Sequence, residues 1–526
     1  MDVMKCAGVR IVPLVGFFLA LFWGTNVSAA AGANKGRDKR PNIIFIIADD
    51  FSYLDISCFG QKEFSTPNID RLTAEGRVFR NAYTGAPWCA PSRTSLLTGM
   101  NGSHFNVLER DEDGRATRFN PTVGEMLKAA GYATGAIGKW HMFEGWRDSW
   151  IFRRTWEEQK KATNWKVMPW NRGFDYCRIG YRGSFMMGNG NPYFPFQVET
   201  GDNREIKIPE NYDLTNEYLW RYVNKKKAHT LFNEKGHFVD MKGKDACRMR
   251  YSEDIYREEA VKFMRKSVRE GKPFYLHYAS PLMHGPLAVK DLGRFKDKKG
   301  WSYPHKIWAA MVEYLDGSVG RITEEVRRLG IADNTLIFFA SDNGYSEWGY
   351  FRRKRWTDDP IFKNKGPWNR GKFITTNGGV IVPLIAWCPG RVPSGTETRR
   401  AVNFYDFMAT ASELAGAKLL GPTDGVSVVP LLEGRDKDQP LRKAMPWFAK
   451  TIRCRIQDNW AKVRDGKSIS PDSVLLDEKW FALLFGKTVH IFDIVSDPGM
   501  TRDLAGQHPD LCARARAQFQ KGTPLK

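Results

Sequence analysis

The stretch NIIFIIADD, Asn42 to Asp50, decides the fold predicted for this chain of 526 residues. Its continuous apolar run is typical of a strand that helices cover on both faces. The run ends at the carboxylates Asp49 and Asp50, and Thr66-Pro67 then begins a predicted helix, PNIDRLTAEG, that ends at Gly76. A buried strand followed by a helix predicts the start of a doubly wound α/β sheet.

Three further apolar runs also end in polar residues. YATGAIG ends at Lys139-Trp140-His141, PFYLHYA runs toward His284, and TLIFFA ends at Ser341-Asp342-Asn343-Gly344. In open α/β sheets, ligands bind at the carboxyl ends of the strands. We therefore expect the four strand ends to form one shared site.

Hard oxygen ligands are concentrated at two of these strand ends. Asp49 with Asp50, and Asp342 with Asn343, suit calcium, or alternatively magnesium, much better than a soft metal. Either pair alone is also common in turns and helix caps. Their joint appearance at two strand ends favours a metal site.

Proton carriers and cations accompany the predicted metal site. His141 and His284 are candidate acids or bases, and Lys139, Arg93 and Lys372 are cations that could hold a tetrahedral oxyanion. In isolation, each histidine would be expected to be structural and each cation to be solvated. The strand-exit positions of Lys139, His141 and His284 favour the functional interpretation.

Cys89 begins the stretch CAPSRTSLLTG at the predicted start of a helix. It could be a buried small residue, half of a disulfide, a thiolate nucleophile activated by the helix dipole, or the precursor of another group. Seven scattered cysteines follow Cys6, without a Cys-x-x-Cys motif, and an odd number leaves at least one outside a disulfide within the chain. An oxygen nucleophile would suit a hard metal better than a thiolate would.

The predicted domain organisation begins with an export signal. Residues 1–29 have the charge, apolar run and Val27-Ser28-Ala29 cleavage pattern of a signal peptide, and residues 30–40 form a linker. We expect a periplasmic or secreted protein with no membrane anchor after signal removal. The catalytic domain is predicted over 41–435, and a small domain over 436–526, where shorter strands, WFALLF and VHIFDIV, precede a terminal helix.

The formal net charge is +21, which favours polyanionic partners. An exported protein meets acidic polysaccharides more often than nucleic acid, and no nucleic-acid-binding motif is visible. We therefore expect a carbohydrate partner and no nucleic acid. A basic surface that only maintains solubility is the alternative for any single patch.

The uninterrupted motif CAPSRTSLLTG resembles that of the type I sulfatases, in which the cysteine is oxidised to formylglycine. Similarity extends to ADD, TPNIDRL, GKWH, MHGPL, AAMVEYLDGSVG, SDNG and FDIVSDPG, and so covers essentially the whole mature chain. The resemblance implies a sulfuric ester hydrolase of the alkaline phosphatase superfamily. It also implies an α/β fold with a large sheet sandwiched by helices and a smaller C-terminal α+β domain with a short antiparallel sheet and a helix.

The same resemblance implies the cofactors and the mechanism. A formylglycine-generating enzyme would mature Cys89, and the hydrated aldehyde would attack sulfur and later expel sulfate, with a proton passing to His141. The resemblance also implies residue roles, carried over by motif. The implied calcium ligands are Asp49, Asp50, Asp342, Asn343 and the formylglycine at Cys89. Its hydrate would be contacted by Arg93, Lys139 and His141, whereas the sulfate would be bound by Lys139, His284 and Lys372, with His284 protonating the leaving alcohol.

The sequence departs from the family pattern after Lys372. Asn377 and Ile381 replace a glutamate and an arginine, and we expect these missing charges to alter the pocket or its salt bridges. The preceding stretch, Phe351 to Lys372, carries eight Lys or Arg residues against two Asp residues, and Trp146 to Trp170 contains five tryptophans. Both stretches are candidate walls of a cleft for an acidic saccharide; a solvated loop and a core segment are the respective alternatives.

The predicted substrate is a sulfate ester on an acidic polysaccharide or glycosaminoglycan. A phosphonate monoester or phosphodiester hydrolase of the same fold is the enzymatic alternative. A noncatalytic polyanion-binding protein is the alternative from another class. The sequence makes no prediction of the oligomeric state.

Overall fold

A computed structural model provides the structure of the chain. It describes residues 40–102, 120–142, 168–180, 196–198, 231–232, 249–284, 287, 289, 291–346, 359–448, 462–463, 467–468 and 471–521. All of them belong to one compact unit that extends from residue 38 to residue 526. The division at 435/436 therefore stays a prediction.

The strands are numbered in chain order over the described residues. They are β1 (Asn42–Ala48), β2 (Arg77–Phe79), β3 (Ala82–Tyr83), β4 (Ala133–Lys139), β5 (Tyr176–Gly180), β6 (Phe196–Val198), β7 (Leu231–Phe232), β8 (Met249–Tyr251), β9 (Phe274–Ala279), β10 (Thr335–Ser341), β11 (Ile381–Val382), β12 (Leu384–Trp387), β13 (Thr396–Thr398), β14 (Val402–Asn403), β15 (Ala444–Trp447), β16 (Lys462–Val463), β17 (Lys467–Ser468), β18 (Asp472–Leu476), β19 (Trp480–Phe485) and β20 (Thr488–Asp493).

The α-helices are numbered in the same way. They are α1 (Pro67–Glu75), α2 (Cys89–Thr98), α3 (Val123–Ala129), α4 (Ser252–Arg269), α5 (Tyr303–Arg328), α6 (Asn377–Val380), α7 (Asp406–Ala415), α8 (Val429–Leu432) and α9 (Pro509–Lys521). Short 3-10 turns lie at Tyr53–Asp55, Ser57–Phe59, Pro169–Asn171, Gly293–Phe295, Ala332–Asn334, Asp436–Asp438 and Ala505–Gln507. No helix among the described residues is both long enough and apolar enough to cross a membrane.

A nine-stranded mixed sheet forms the centre of the fold, in the order β13-β2-β12-β10-β1-β9-β4-β5-β7. The five adjacent strands β10, β1, β9, β4 and β5 run parallel to one another. Antiparallel pairing appears only further out, between β10 and β12, β12 and β2, and β5 and β7. The predicted parallel arrangement is thus confirmed for the four strands that end in polar residues.

The continuous apolar run of β1 is explained by the cores on its two faces. Ile44 and Ile46 lie in a core with α1, α4 and α5, whereas Ile43, Phe45 and Ile47 lie in a second core with α2, α3 and α7. Since successive side chains of a strand point to opposite faces, both sets are apolar. The large sheet is therefore sandwiched by helices, as predicted.

A second, four-stranded antiparallel sheet, β15-β18-β19-β20, lies near the carboxyl end of the chain. One of its faces packs on α9 through a cluster that includes Val474, Ile491 and Leu511. Its other face packs in a cluster that contains Trp447, Phe481 and residues of the three-stranded sheet β11-β3-β14, such as Ile381. The predicted short antiparallel sheet with a terminal helix is confirmed.

Candidate active site

The register between β1 and β10 brings Asp49-Asp50 and Asp342-Asn343 together. Ala48 lies opposite Ser341 in parallel pairing, so Asp49 and Asp342 leave the sheet side by side. The Asp342 amide donates to the carbonyl of Ala48 at 3.0 Å, which holds the two strand ends in register. The predicted convergence of these strand ends is observed.

Asp50 adopts a left-handed backbone conformation, with φ 61°. This region is sparsely populated by residues with a side chain and persists where the surrounding structure enforces it. Here the Asp50 amide donates to Asp342 Oδ1 at 3.2 Å, and Asn343 Nδ2 donates to Asp50 Oδ1 at 2.9 Å. The turn therefore directs two successive carboxylates, Asp49 and Asp50, into the same buried site.

Cys89 is the first residue of α2, as the position of Pro91 in the first turn predicts. Every residue of this helix is buried. The segment before it is held by Pro87, whose carbonyl accepts a hydrogen bond from the Phe373 amide at 2.8 Å. One ligand atom each from Cys89, Asp49 and His284 lies within 4.8 Å of the others.

Each of three buried carboxylates forms an ion pair with a buried cation. At this depth an unpaired charge would be strongly destabilising, so the pairing is required for the site to exist without a ligand. The pairs are Lys139 Nζ with Asp49 Oδ2 at 2.5 Å, Lys372 Nζ with Asp50 Oδ1 at 2.5 Å, and Arg93 Nη2 with Asp342 Oδ2 at 2.8 Å.

The carboxyl groups of the site differ in proton affinity. Burial alone would raise the pKa of Asp50, but the Lys372 ammonium and His284 outweigh burial and lower this pKa below its ordinary value. For Asp342, burial and the Asp49 charge raise the pKa to about 6, despite the pairing with Arg93. Asp50 is therefore the more firmly ionised of these two carboxylates.

The two candidate histidines reach the site from neighbouring strands. His141 follows β4 with a left-handed φ of 47°, and burial together with the charges of Lys139 and Arg93 lowers its pKa well below the usual value. His284 follows β9, and its Nε2 lies 3.9 Å from Asp50 Oδ2. The imidazole of His141 is therefore neutral at neutral pH, which is the form that a general base requires.

The thiol of Cys89 is poorly suited to act as a nucleophile itself. Burial raises its pKa to about 11, although Lys139 and Lys372 favour the thiolate. The effect of burial exceeds the activation that these two lysines provide. The structure therefore argues against a thiolate hydrolase.

Three buried oxygen atoms at the acidic centre accept no hydrogen bond from any residue that the structure describes: Asp49 Oδ1, Asp50 Oδ2 and Asn343 Oδ1. Oxygen ligands from Asp49, Asp50 and Asp342 also lie within 4.8 Å of one another. Buried acceptors without donors are rare, and a hard cation satisfies them. The donor set thus fits the calcium or magnesium ion expected from the sequence.

The segment that carries Lys372 is held by a hydrogen-bond network that sequence reasoning missed. Asn377 Oδ1 accepts from the amide of Asn369 at 3.0 Å and from that of Gly378 at 2.8 Å. Asn377 Nδ2 donates to the carbonyl of Pro498 at 2.7 Å. The departure from the family pattern at Asn377 was the feature of the sequence that could have indicated this network.

The two departures have structural roles among the described residues. Asn377 is buried and bonds to the backbone, and Ile381 pairs with Tyr83 in the sheet of β11 and β3. Nearby, the loop after β10 approaches so closely that a Cβ on Gly344 would lie 2.0 Å from the carbonyl oxygen of Gly378. At these positions, the missing charges are replaced by backbone hydrogen bonds and packing.

The two candidate cleft walls lie partly outside the described residues. Residues 143–167 and 347–358 are outside, so most of the tryptophan-rich stretch and the Arg352–Arg355 cluster have no structural account here. Within the described part, Trp368 packs against Tyr53 with ring centroids 5.0 Å apart. The substrate roles of both stretches stay predictions.

Comparison with known proteins adds a family context to this geometry. Residues 41–417 match the sulfatase family model. The N-acetylgalactosamine-6-sulfatase of Sus scrofa is 29% identical over 440 residues, which cover 79% of this chain and 70% of that protein. The N-acetylgalactosamine-6-O-sulfatase of Bacteroides thetaiotaomicron is 26% identical over 95% of this chain and 96% of its own length.

A solved structure is similar over nearly the same extent. The crystal structure of Ps i-CgsB has a TM-score of 0.65 and 26% sequence identity, and the match covers 92% of this chain and 93% of that one. The same protein has been solved in complex with k-i-k-neocarrahexaose.

Proposed function

The chain belongs to the sulfatase family and is a sulfuric ester hydrolase, and from this premise we propose that it is an exported, calcium-dependent enzyme that removes sulfate from a carbohydrate by means of a formylglycine made from Cys89. The observation that carries the proposal is the position of Cys89. It lies buried at the start of α2, within reach of Asp49 and His284, beside three carboxylate–cation pairs.

The proposed metal ligands are the side chains of Asp49, Asp50, Asp342 and Asn343, with formylglycine at position 89. Support comes from the three oxygen atoms of this set to which none of the described residues donates a hydrogen bond. A bound divalent cation would supply positive charge that stabilises the negative charge developing on oxygen during sulfate transfer.

The modified residue supplies an aldehyde whose hydrate carries two hydroxyl groups on one carbon. Arg93 is the residue proposed to orient this group. Its guanidinium is fixed by Asp342 and by a hydrogen bond from Nη1 to the carbonyl oxygen of Lys139 at 3.1 Å. A guanidinium held at two points has little freedom left to lose when it binds a further oxygen.

Lys139 and Lys372 are proposed to bind sulfate oxygens. Each side chain is buried, and its ammonium group forms an ion pair with a carboxylate. Burial would lower the pKa of Lys372, but the surrounding negative groups, with Asp50 foremost, together outweigh burial and raise this pKa, so the residue remains a cation. Preorganised charges in a buried site stabilise developing negative charge more effectively than charges in water.

The two histidines divide the proton transfers in this proposal. His141, kept neutral by burial and neighbouring cations, takes a proton from the hydrated residue at position 89. His284 donates a proton to the alcohol oxygen as it leaves sulfur. Its place beside Asp50 supports a role as acid, because a carboxylate stabilises imidazolium.

The proposed substrate class is a sulfated carbohydrate. The two relatives from Sus scrofa and Bacteroides thetaiotaomicron are N-acetylgalactosamine 6-sulfatases, and the solved relative Ps i-CgsB forms a complex with k-i-k-neocarrahexaose. The net charge of +21 suits an acidic polymer. Export through residues 1–29 to a periplasmic or extracellular location, and maturation by a formylglycine-generating enzyme, complete the proposal.

The mass of the peptide that contains Cys89 is the first test. Protein is purified from cells that carry a formylglycine-generating enzyme, and the peptide is compared with that from Cys89→Ser. An aldehyde or its hydrate supports the proposal, whereas an unmodified thiol under these conditions contradicts it.

Turnover then separates the enzymatic alternatives. We expect the converted protein to hydrolyse an aryl sulfate faster than an aryl phosphate diester, and Cys89→Ser to hydrolyse neither at a comparable rate. A preference for the diester would support the phosphodiesterase alternative. Binding of a sulfated glycan without turnover by fully converted protein would support the noncatalytic alternative.

A further inference from the structure

Two donor sets of different chemistry share Asp49. One consists of the carboxylates Asp49, Asp50 and Asp342, and the other consists of Asp49, Cys89 and His284. In each set the ligand atoms lie within 4.8 Å of one another, and all the residues are buried. The second set contains a sulfur atom and an imidazole nitrogen, which the first set lacks.

The second set matches the preference of a thiophilic cation. Cysteine sulfur, histidine nitrogen and aspartate oxygen are the ligands that bind Zn²⁺ in proteins, commonly three from the protein with a fourth position for water. Calcium and magnesium select oxygen atoms instead. The Oδ1 atom of Asp49 is buried and accepts no hydrogen bond within the described part of the chain, so the shared carboxylate offers this oxygen to a cation.

The chemical conversion of Cys89 decides whether the second set exists. The translated chain carries a thiol at position 89, whereas formylglycine has an oxygen in place of the sulfur. Conversion therefore removes the soft ligand and leaves the oxygen ligands intact. This step of the argument rests on the proposed function, in which Cys89 is the precursor.

We propose that the unconverted chain binds a thiophilic divalent cation such as Zn²⁺ through Cys89, His284 and Asp49, and that conversion of Cys89 abolishes this site. Binding forms a metal–sulfur bond and releases the thiol proton to solvent, with no change in oxidation state. Zinc occupies Asp49 in this form and so competes with calcium. The zinc content of a preparation consequently reports its unconverted fraction.

The local charge is compatible with such a site. Lys139 pairs with Asp49 through Oδ2, which leaves Oδ1 for the metal. Binding of Zn²⁺ with loss of the thiol proton adds one net positive charge beside the carboxylates Asp49, Asp50 and Asp342.

The test uses the full chain made in cells without a formylglycine-generating enzyme. The unconverted state is verified by the mass of the Cys89 peptide, and the protein is titrated with Zn²⁺ and, separately, with Cd²⁺. Bound zinc is measured by elemental analysis, and the cadmium–thiolate bond by its ultraviolet charge-transfer absorption. We expect one equivalent of zinc and a cadmium–thiolate band.

Variants identify the ligands. Cys89→Ser and His284→Gln should each weaken zinc binding at least tenfold, and Cys89→Ser should remove the cadmium band. Cys58→Ser, which alters an exposed cysteine, is the matched control and should retain both signals. Circular dichroism confirms that each variant is folded, and Cys89→Ala provides a second variant if Cys89→Ser is not.

Two results would overturn the inference: no zinc uptake by the unconverted chain, or uptake that is unchanged in Cys89→Ser and His284→Gln. Its failure is distinguishable from that of the proposed function. Zinc binding by a chain whose Cys89 is never converted supports this inference while contradicting the proposed function. A converted, active enzyme whose unconverted form takes up no zinc contradicts this inference alone.

Discussion

Asn377 donates a hydrogen bond from Nδ2 to the carbonyl of Pro498 at 2.7 Å and thereby connects the segment that carries Lys372 to the chain that follows β20. The Asn369 side chain forms a second connection, from Nδ2 to the carbonyl of Gly499 at 3.0 Å. The segment that follows the small antiparallel sheet therefore contributes to the position of a proposed sulfate-binding cation.

Replacement of Asn377 by alanine should weaken sulfate binding through Lys372. The change removes three hydrogen bonds, and we expect a 5- to 30-fold loss of kcat/KM, about 1 to 2 kcal/mol. The inhibition constant for inorganic sulfate should rise in parallel. Asn377→Asp should recover part of the loss, since its oxygen still accepts from two amides.

A double-mutant cycle distinguishes positioning from a general loss of stability. If Asn377 acts through Lys372, the effects of Asn377→Ala and Lys372→Met on sulfate inhibition should not add. Asn42→Ala is the matched control, because Asn42 is buried and hydrogen-bonded at the opposite end of β1. Additive effects, or an equal effect of the control on inhibition, would argue against positioning.

Loss of one partner of the Arg93–Asp342 pair should destabilise the protein. Both side chains are fully buried, so Arg93→Ala leaves an unpaired carboxylate and should lower the free energy of unfolding by about 3 to 5 kcal/mol. Urea unfolding with chelator present measures the change. The double variant Arg93→Met/Asp342→Asn should be more stable than Arg93→Ala; a double variant with summed losses would contradict this account.

Metal removal should stop turnover without unfolding the protein. Because the three buried carboxylates are each paired with a cation, the chelated protein is expected to keep its circular dichroism spectrum. Calcium added at 100 times its dissociation constant should restore activity and add about 2.7 kcal/mol of stability.

Lys372→Met tests whether the internal ion pairs are the reason why the protein stays folded without metal. The variant removes the ammonium partner of Asp50, so it should be less stable than the wild type in chelator and should gain more stability from calcium. Unfolding of the wild-type protein on chelation would show that the internal ion pairs do not suffice.

Glu325 should make stability dependent on pH in the acid range. It accepts hydrogen bonds from Arg328, and from Arg265 on α4 at 2.9 Å, and these bonds lower its pKa from 4.5 to about 2. Since the folded pKa is below the unfolded one, the contribution is complete above pH 4.5 and is lost as pH falls toward 2.

Glu325→Gln should lower the free energy of unfolding at pH 7 by about 1 to 2 kcal/mol, a value limited by the solvent exposure of both arginines. The difference from the wild type should shrink as pH decreases from 4.5 to 2. Glu324→Gln, at an exposed neighbouring position, should change stability by less than about 0.5 kcal/mol. A constant difference across this pH range would contradict the assignment.

The basic segment before Lys372 should affect large substrates selectively. Arg352→Ala/Arg353→Ala/Arg355→Ala is expected to raise KM several-fold for a sulfated oligosaccharide and to leave KM for a small aryl sulfate unchanged. Lys418→Ala/Lys437→Ala/Lys487→Ala removes three exposed cations elsewhere and is the matched control. Equal effects on both substrates would refute the proposed role.

The sequence by itself determined the parallel centre of the fold and the members of the candidate site. The apolar run of β1 required two covered faces, and the polar residues after β1, β4, β9 and β10 had to meet because parallel strands end at one edge. The motif at Cys89 added the family resemblance. These features are local along the chain, so periodicity and strand ends suffice to predict them.

Only the tertiary structure decided the electrostatic state of the site and the support of Lys372. Which cation pairs with which carboxylate depends on distances between residues far apart in sequence, such as Asp50 and Lys372. Burial raised the pKa of Cys89, whereas the start of a helix was expected to lower it. Folding also brought Asn377 Nδ2 within hydrogen-bond distance of the Pro498 carbonyl. Desolvation and long-range hydrogen bonding arise when the chain folds, and no local pattern of residues encodes them.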